Sequence, residues 1–151
     1  RILKYPGYIL CTVIICLRNL FLMNALETAI IAALKTKGDS KEANKAYLEF
    51  IKANFIMPVD IKQAETENPS PLYLVEGENV YVPVFSNQAS LDNWAREIKN
   101  EIYIYRLSGV NLLKGIGDNV HICLDIGTNS YKLFLPAEIA RMRSIILKFF
   151  N

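Results

Sequence analysis

Apolar residues recur along the chain at two spacings, one near 3.6 and one of 2, and the changes between them mark out the elements. In Ala25–Lys37, Leu26, Ala29, Ile30, Ala33 and Leu34 fall at i, i+3, i+4, i+7 and i+8 and so line one face of a helix. Asn24 is placed to cap it, with Glu27 three residues on, a weaker form of the Ser/Thr capping box. Lys35 and Lys37 suit its last turn and Gly38 its end. Asp39 or Ser40 caps a second helix, Lys41–Asn54. There Ala43, Tyr47, Phe50 and Ile51 share a face, with Ala46 and Leu48 at its margins. A tight turn makes the two a helical hairpin.

The spacing then shifts to 2. Phe55–Val59 reads as a short strand that Pro58 keeps near an edge, and polar Asp60–Ser70 as a loop. Pro71–Ala95 is the most legible stretch. Leu72–Val75 and Val80–Phe85 form an antiparallel hairpin about a turn at Glu76–Asn79. Val80, Val82 and Val84 lie on one face of the second strand, and Tyr81, Pro83 and Phe85 on the other. Pro83 argues for an edge position or a bulge. Ser90 caps a helix that buries Leu91, Trp94, Ala95 and Ile98. Ile102–Leu107 is a strand, Val110–Ile116 a short helix, and Val120–Ile126 and Tyr131–Leu135 a strand pair about a turn at Gly127–Ser130. Pro136 starts the last helix, with Ile139, Met142, Ile145, Ile146 and Phe149 apolar and Arg141, Arg143 and Lys148 as a basic flank. The fold class is α+β: a single-domain mixed, largely antiparallel sheet with helices packed on it.

Residues 1–22 follow neither pattern. Their uninterrupted apolar run, Tyr8–Leu17, is shorter than the roughly 20 residues of a spanning helix. They read as an apolar N-terminal extension from a mis-called start, as a membrane anchor, or as an extra docked element, and the domain proper as residues 23–151. A membrane enters only if residues 8–22 act as an anchor.

Composition changes this picture little. A chain of 151 residues with 52% hydrophobic and 21% charged residues suits one folded domain. A formal charge of +2, with no basic run interleaved with aromatics, argues against nucleic acid. Cys11, Cys16 and Cys123 are odd in number and lack a CxxC spacing, which argues against a disulfide framework and a zinc site and for a reducing cytoplasm. No cofactor or metal is expected.

The chemistry-bearing residues are few. His121, Cys123 and Asp125 alternate along one strand and invite a cysteine hydrolase or small-molecule reading. Same-face neighbours on a strand stand about 7 Å apart, beyond direct hydrogen-bond reach. Gly115-Ile116-Gly117 has neither a preceding strand nor a third helix-opening glycine, so a dinucleotide loop fails on context.

The order of segments resembles a known family. NALETAIIAAL, AYLEFIKANFIMPV, PLYLVEGENVYVPVFSNQASLDNWA and GVNLLKGIGDNVHICLDIGTNSYKLFLPAEIARM together resemble the SseB protein N-terminal domain, also called enhanced-serine-sensitivity proteins. Its most specific pieces are Val82-Pro83-Val84-Phe85-Ser86 and Leu135-Pro136-Ala137-Glu138-Ile139. The chain departs at Leu124-Asp125-Ile126-Gly127, where relatives often carry Asn-Pro-Gly. The resemblance implies a bacterial domain with no agreed enzymatic activity. The expected function is therefore binding of another protein, through Tyr81, Phe85, Tyr103 and Tyr105 as exposed aromatics on strands apolar on both faces.

Overall fold

A computed structural model describes residues 23–37 and 39–149. The expectations for residues 1–22 and for the Gly38 stop lie outside the described residues. Helix α1 runs Ala25–Lys35 and α2 Ser40–Lys52. Strand β1 is Asn54–Asp60, β2 Leu74–Glu76, β3 Asn79–Val84, β4 Ile102–Ser108, β5 Val120–Leu124 and β6 Lys132–Phe134. Helix α3 is Gln88–Trp94, α4 Gly109–Gly115 and α5 Pro136–Phe149. The class is α+β.

Local chemistry sets the helix starts. The Asn24 side chain accepts from the Glu27 N–H at 2.8 Å, and Asp39 accepts from the Lys41 N–H at 3.0 Å. Helix α3 begins earlier than Ser90: Asn87 is its cap and accepts from the Ser90 N–H at 2.8 Å. Helix α4 starts hard against α2. A β-carbon on Gly109 would strike the carbonyl oxygen of Phe50, so only glycine fits there.

β1 pairs antiparallel with β4, and a second sheet has the order β2-β3-β5-β6. Among the described strands, only β3 and β5 run parallel. The two sheets meet at one point, where Ile56 and Phe85 exchange both backbone hydrogen bonds at 2.8 and 2.9 Å. Continuing that register would set Pro58 opposite Pro83. Neither can donate, so the ladder stops there, and the Pro58 carbonyl accepts instead from Leu72 N–H at 2.9 Å. Pro58 thus lies on the side of β1 away from β4, in an edge strand of its two-stranded sheet, and Pro83 lies beyond the residues of β3 that pair with β2, so both face the seam.

One face of the joined sheets carries the main core. Phe55, Met57, Val59, Val82, Val84, Ile122, Leu124 and Phe134 meet the apolar faces of α1, α2, α4 and α5. Ala46, expected at a margin, is fully buried. Leu34 and Phe149, expected on apolar faces, are exposed, because nothing described packs over the ends of their helices. The opposite face carries a smaller core in which α3 folds back over Ile56 and Phe85, with Leu91, Ala95, Trp94, Ile102 and Ile104.

Candidate functional site

The four aromatic residues expected to form an exposed surface do not share one. Phe85 is fully buried and stacks on Trp94 with ring centroids 5.3 Å apart. Period two located its face correctly, but α3 returns over that face and covers it. Tyr81 is half-buried, its ring 4.8 Å from that of His121 on the adjacent β5. Tyr105 is half-buried against the main core. Tyr103 is the exposed member, at 43%.

The exposed apolar run that pattern reading missed lies on β2 and just before it. Tyr73, Leu74 and Val75 are consecutive and all exposed, Val75 at 69%. A strand apolar on both faces, as Leu72–Val75 is, needs cover on both sides or offers one face as an interaction surface. β2 is the outermost strand of its sheet, paired among the described residues with β3 alone, and all three of its residues are exposed.

His121, Cys123 and Asp125 do not converge. Tyr81 pairs with His121 and Pro83 with Cys123 in register, so the imidazole and thiol stand along one strand. The His121 Nδ1 is buried and has no hydrogen-bond partner among the described residues. Burial pushes the Cys123 thiol up, against the smaller opposing effect of a hydrogen bond with Tyr131. A buried thiol raised in this way stays protonated at neutral pH and is a poor nucleophile. Asp125 lies past the end of β5 at φ 51°. Its carboxylate accepts from the Ser86 N–H at 2.8 Å and the Ser86 hydroxyl at 2.6 Å. It ties the end of β3 to the turn after β5. Among the described residues, no group of three His, Cys, Asp or Glu is placed to hold a metal ion.

The glycine-containing loop after α4 is filled by a cation. Arg143 on α5 donates to the carbonyls of Leu113 at 2.7 Å and Ile116 at 2.6 Å, and pairs with Asp118 at 2.8 Å. A phosphate cradle presents N–H groups to its ligand; here the carbonyls face inward and the guanidinium caps the C-terminal end of α4. Arg143, one of the basic flank of this helix, is thus a structural clamp.

Glu138 organises the start of α5. It accepts from Leu135 N–H at 2.9 Å, the Tyr47 hydroxyl at 2.8 Å and the Lys132 ammonium at 3.1 Å. Burial alone would raise its carboxyl; these donors outweigh burial and hold it below the ordinary 4.5. Burial, then the bond to Glu138, pushes the Tyr47 phenol up to about 12. A depressed folded pKa gives stability that is present above the ordinary value and lost as pH falls through the folded one. Glu138→Gln is therefore expected to cost about 1–2 kcal/mol at pH 7. It should also flatten the decline in stability below pH 4.5, read by urea unfolding between pH 2 and 7; an unaltered profile would remove Glu138 as its source.

Two concavities border β4. One of about 570 Å³ lies between Tyr105, Leu107, Tyr73 and α4, and one of about 270 Å³ between Ile102, Ile104 and α3. Neither is readable from local spacing, because each is bounded by elements distant in sequence.

The two motifs that were most specific in the sequence also carry this architecture. Val82–Ser86 supplies the seam and the Asp125 tie, and Leu135–Ile139 the Glu138 hub. No curated protein and no solved structure matches the chain. The sequence model of the SseB protein N-terminal domain matches residues 26–141, from α1 well into α5, and the chain belongs to that family.

Proposed function

We propose that this SseB-like domain acts by binding another protein and not by catalysis. The observation that carries the reading is the run Tyr73–Leu74–Val75, with Tyr103 exposed on a second strand: large apolar side chains placed at the margins of the sheets where nothing described covers them. Contiguous exposed apolar residues of this kind mark interaction surfaces more often than they occur idly. The buried, protonated Cys123 supports the same reading over a cysteine hydrolase. A cytoplasmic setting in a bacterium fits the family and the thiol of Cys123, which is unpaired among the described residues.

The test is capture of partners from a lysate of the source organism, with the wild-type chain and with Tyr73→Ser/Val75→Ser. Both residues are exposed, so the double variant should keep its unfolding midpoint within about 0.5 kcal/mol. A defined protein retained by the wild type and at least tenfold depleted with the variant is the expected result. Equal recovery of every bound protein would overturn this surface as the site. Separately, loss of any turnover on Cys123→Ser would overturn the non-catalytic reading.

A further inference from the structure

We propose that the outer edge of β4 receives the partner as an added β-strand: an extended peptide with an apolar side chain at alternate positions and an acidic flank. This rests on the protein-binding reading and specifies its geometry. The inward bonds of the β1–β4 pair fall on odd residues of β4 and its neighbours, since Gly109 N–H donates to Ala53 and Ile61 N–H to Glu101. The N–H and C=O groups of Ile102, Ile104 and Arg106 therefore point outward. None of them has a backbone partner among the described residues.

Natural edges are usually blunted by proline, a bulge or an outstanding charge. β4 is seven residues long and has no proline. Its one charged residue, Arg106, is tethered to Gln88 at 3.0 Å. The concavity beside Ile102 and Ile104 lies along β4 on the α3 face, whereas the one lined by Tyr105 and Leu107 extends over the other face across β1 to Pro71 and Tyr73. Side chains of an added strand point alternately to the two faces. Every second residue would thus be offered the concavity beside Ile102 and Ile104, and pockets for alternate side chains are what strand addition uses for specificity. The residues around both concavities include Lys99, Arg106 and Lys114 against the single carboxylate of Asp92. That excess of positive charge selects the acidic flank.

A library of random ten-residue peptides displayed on phage and panned on the full chain tests this. Enriched peptides should alternate apolar and polar residues and carry Asp or Glu at one end. In amide exchange with an enriched synthetic peptide, Ile102, Ile104 and Arg106 should gain protection, while Tyr103, Tyr105 and Leu107, already bonded to β1, should change little. Ile104→Pro removes an outward donor without touching the β1 ladder, and is expected to weaken the peptide about tenfold. The exchange pattern in the wild type decides the matter even if that variant fails to fold. Peptides that bind while protecting other amides would overturn the β4 edge and leave protein binding standing. No enrichment would overturn the edge, and the lysate experiment would judge protein binding by itself. Protection of Ile104 that rises with protein concentration, without peptide, would assign the edge to a second copy of this chain and overturn the proposal.

Discussion

Replacing Phe50 with alanine will cost the domain about 3–5 kcal/mol of stability. The Phe50 ring is fully buried, with centroids 4.5 Å from Phe55 and 4.9 Å from Phe134. It joins α2 to β1 and to β6, so its removal opens a cavity that three elements would have to close together. Two aromatic pairs disappear as well, each worth about 0.5–1.5 kcal/mol beyond area burial. Whole domains of this kind are stable by about 5–15 kcal/mol, so Phe50→Ala will be marginal, whereas Phe50→Leu should lose about 1–2 kcal/mol. Leu147→Ala, at a position 67% exposed, should shift stability by less than about 0.5 kcal/mol. Urea unfolding of the three variants makes the comparison. A loss below about 1 kcal/mol for Phe50→Ala would show that the aromatic cluster is not the centre of the core.

The second large effect is expected at Asp125. Alanine there orphans both the backbone N–H and the hydroxyl of Ser86 at the end of β3, and should cost about 2–3 kcal/mol. Asparagine keeps an acceptor for Ser86 and should cost about 1 kcal/mol or less at neutral pH. The two also differ with pH. Burial raises the Asp125 carboxyl above the ordinary 3.8, against the smaller pull of its bonds from Ser86 and Ser130. An acid raised on folding favours the native state only while protonated. Its contribution therefore declines as pH climbs from 3.8 through the folded value, the opposite sign to Glu138. Asp125→Asn should abolish that decline, and a pH series of unfolding midpoints that left it in place would remove Asp125 as its cause.

Much of this fold was legible because its determinants are local. The Asn24 cap, the two helices of the hairpin and the Glu76–Asn79 turn each depend on residues within four positions of one another. The misses share a different property. Ser90 and Asn87 are both good caps, and Asn87 takes the role while its amide also reaches Glu27 on α1 at 3.2 Å. Phe85 was assigned the right face, but what covers that face depends on the path of α3. Arg143 looks like any exposed arginine on a helical wheel, yet it meets carbonyls some thirty positions earlier. The candidate edge is hidden for the same reason: alternation identifies β4, but only the pairing with β1 says which side of it is left open.

The meeting of Pro58 and Pro83 divides the sheet mechanically. Past the two bonds of Ile56 and Phe85 no zipper can run between β1 and β3. Among the described residues, backbone bonding between the β1–β4 leaf and the four-stranded leaf is consequently confined to that one pair. Both leaves bury Phe55, Met57 and Val59 beside Val82, Val84 and Ile122 in one core, so side-chain packing and not a backbone ladder holds one to the other.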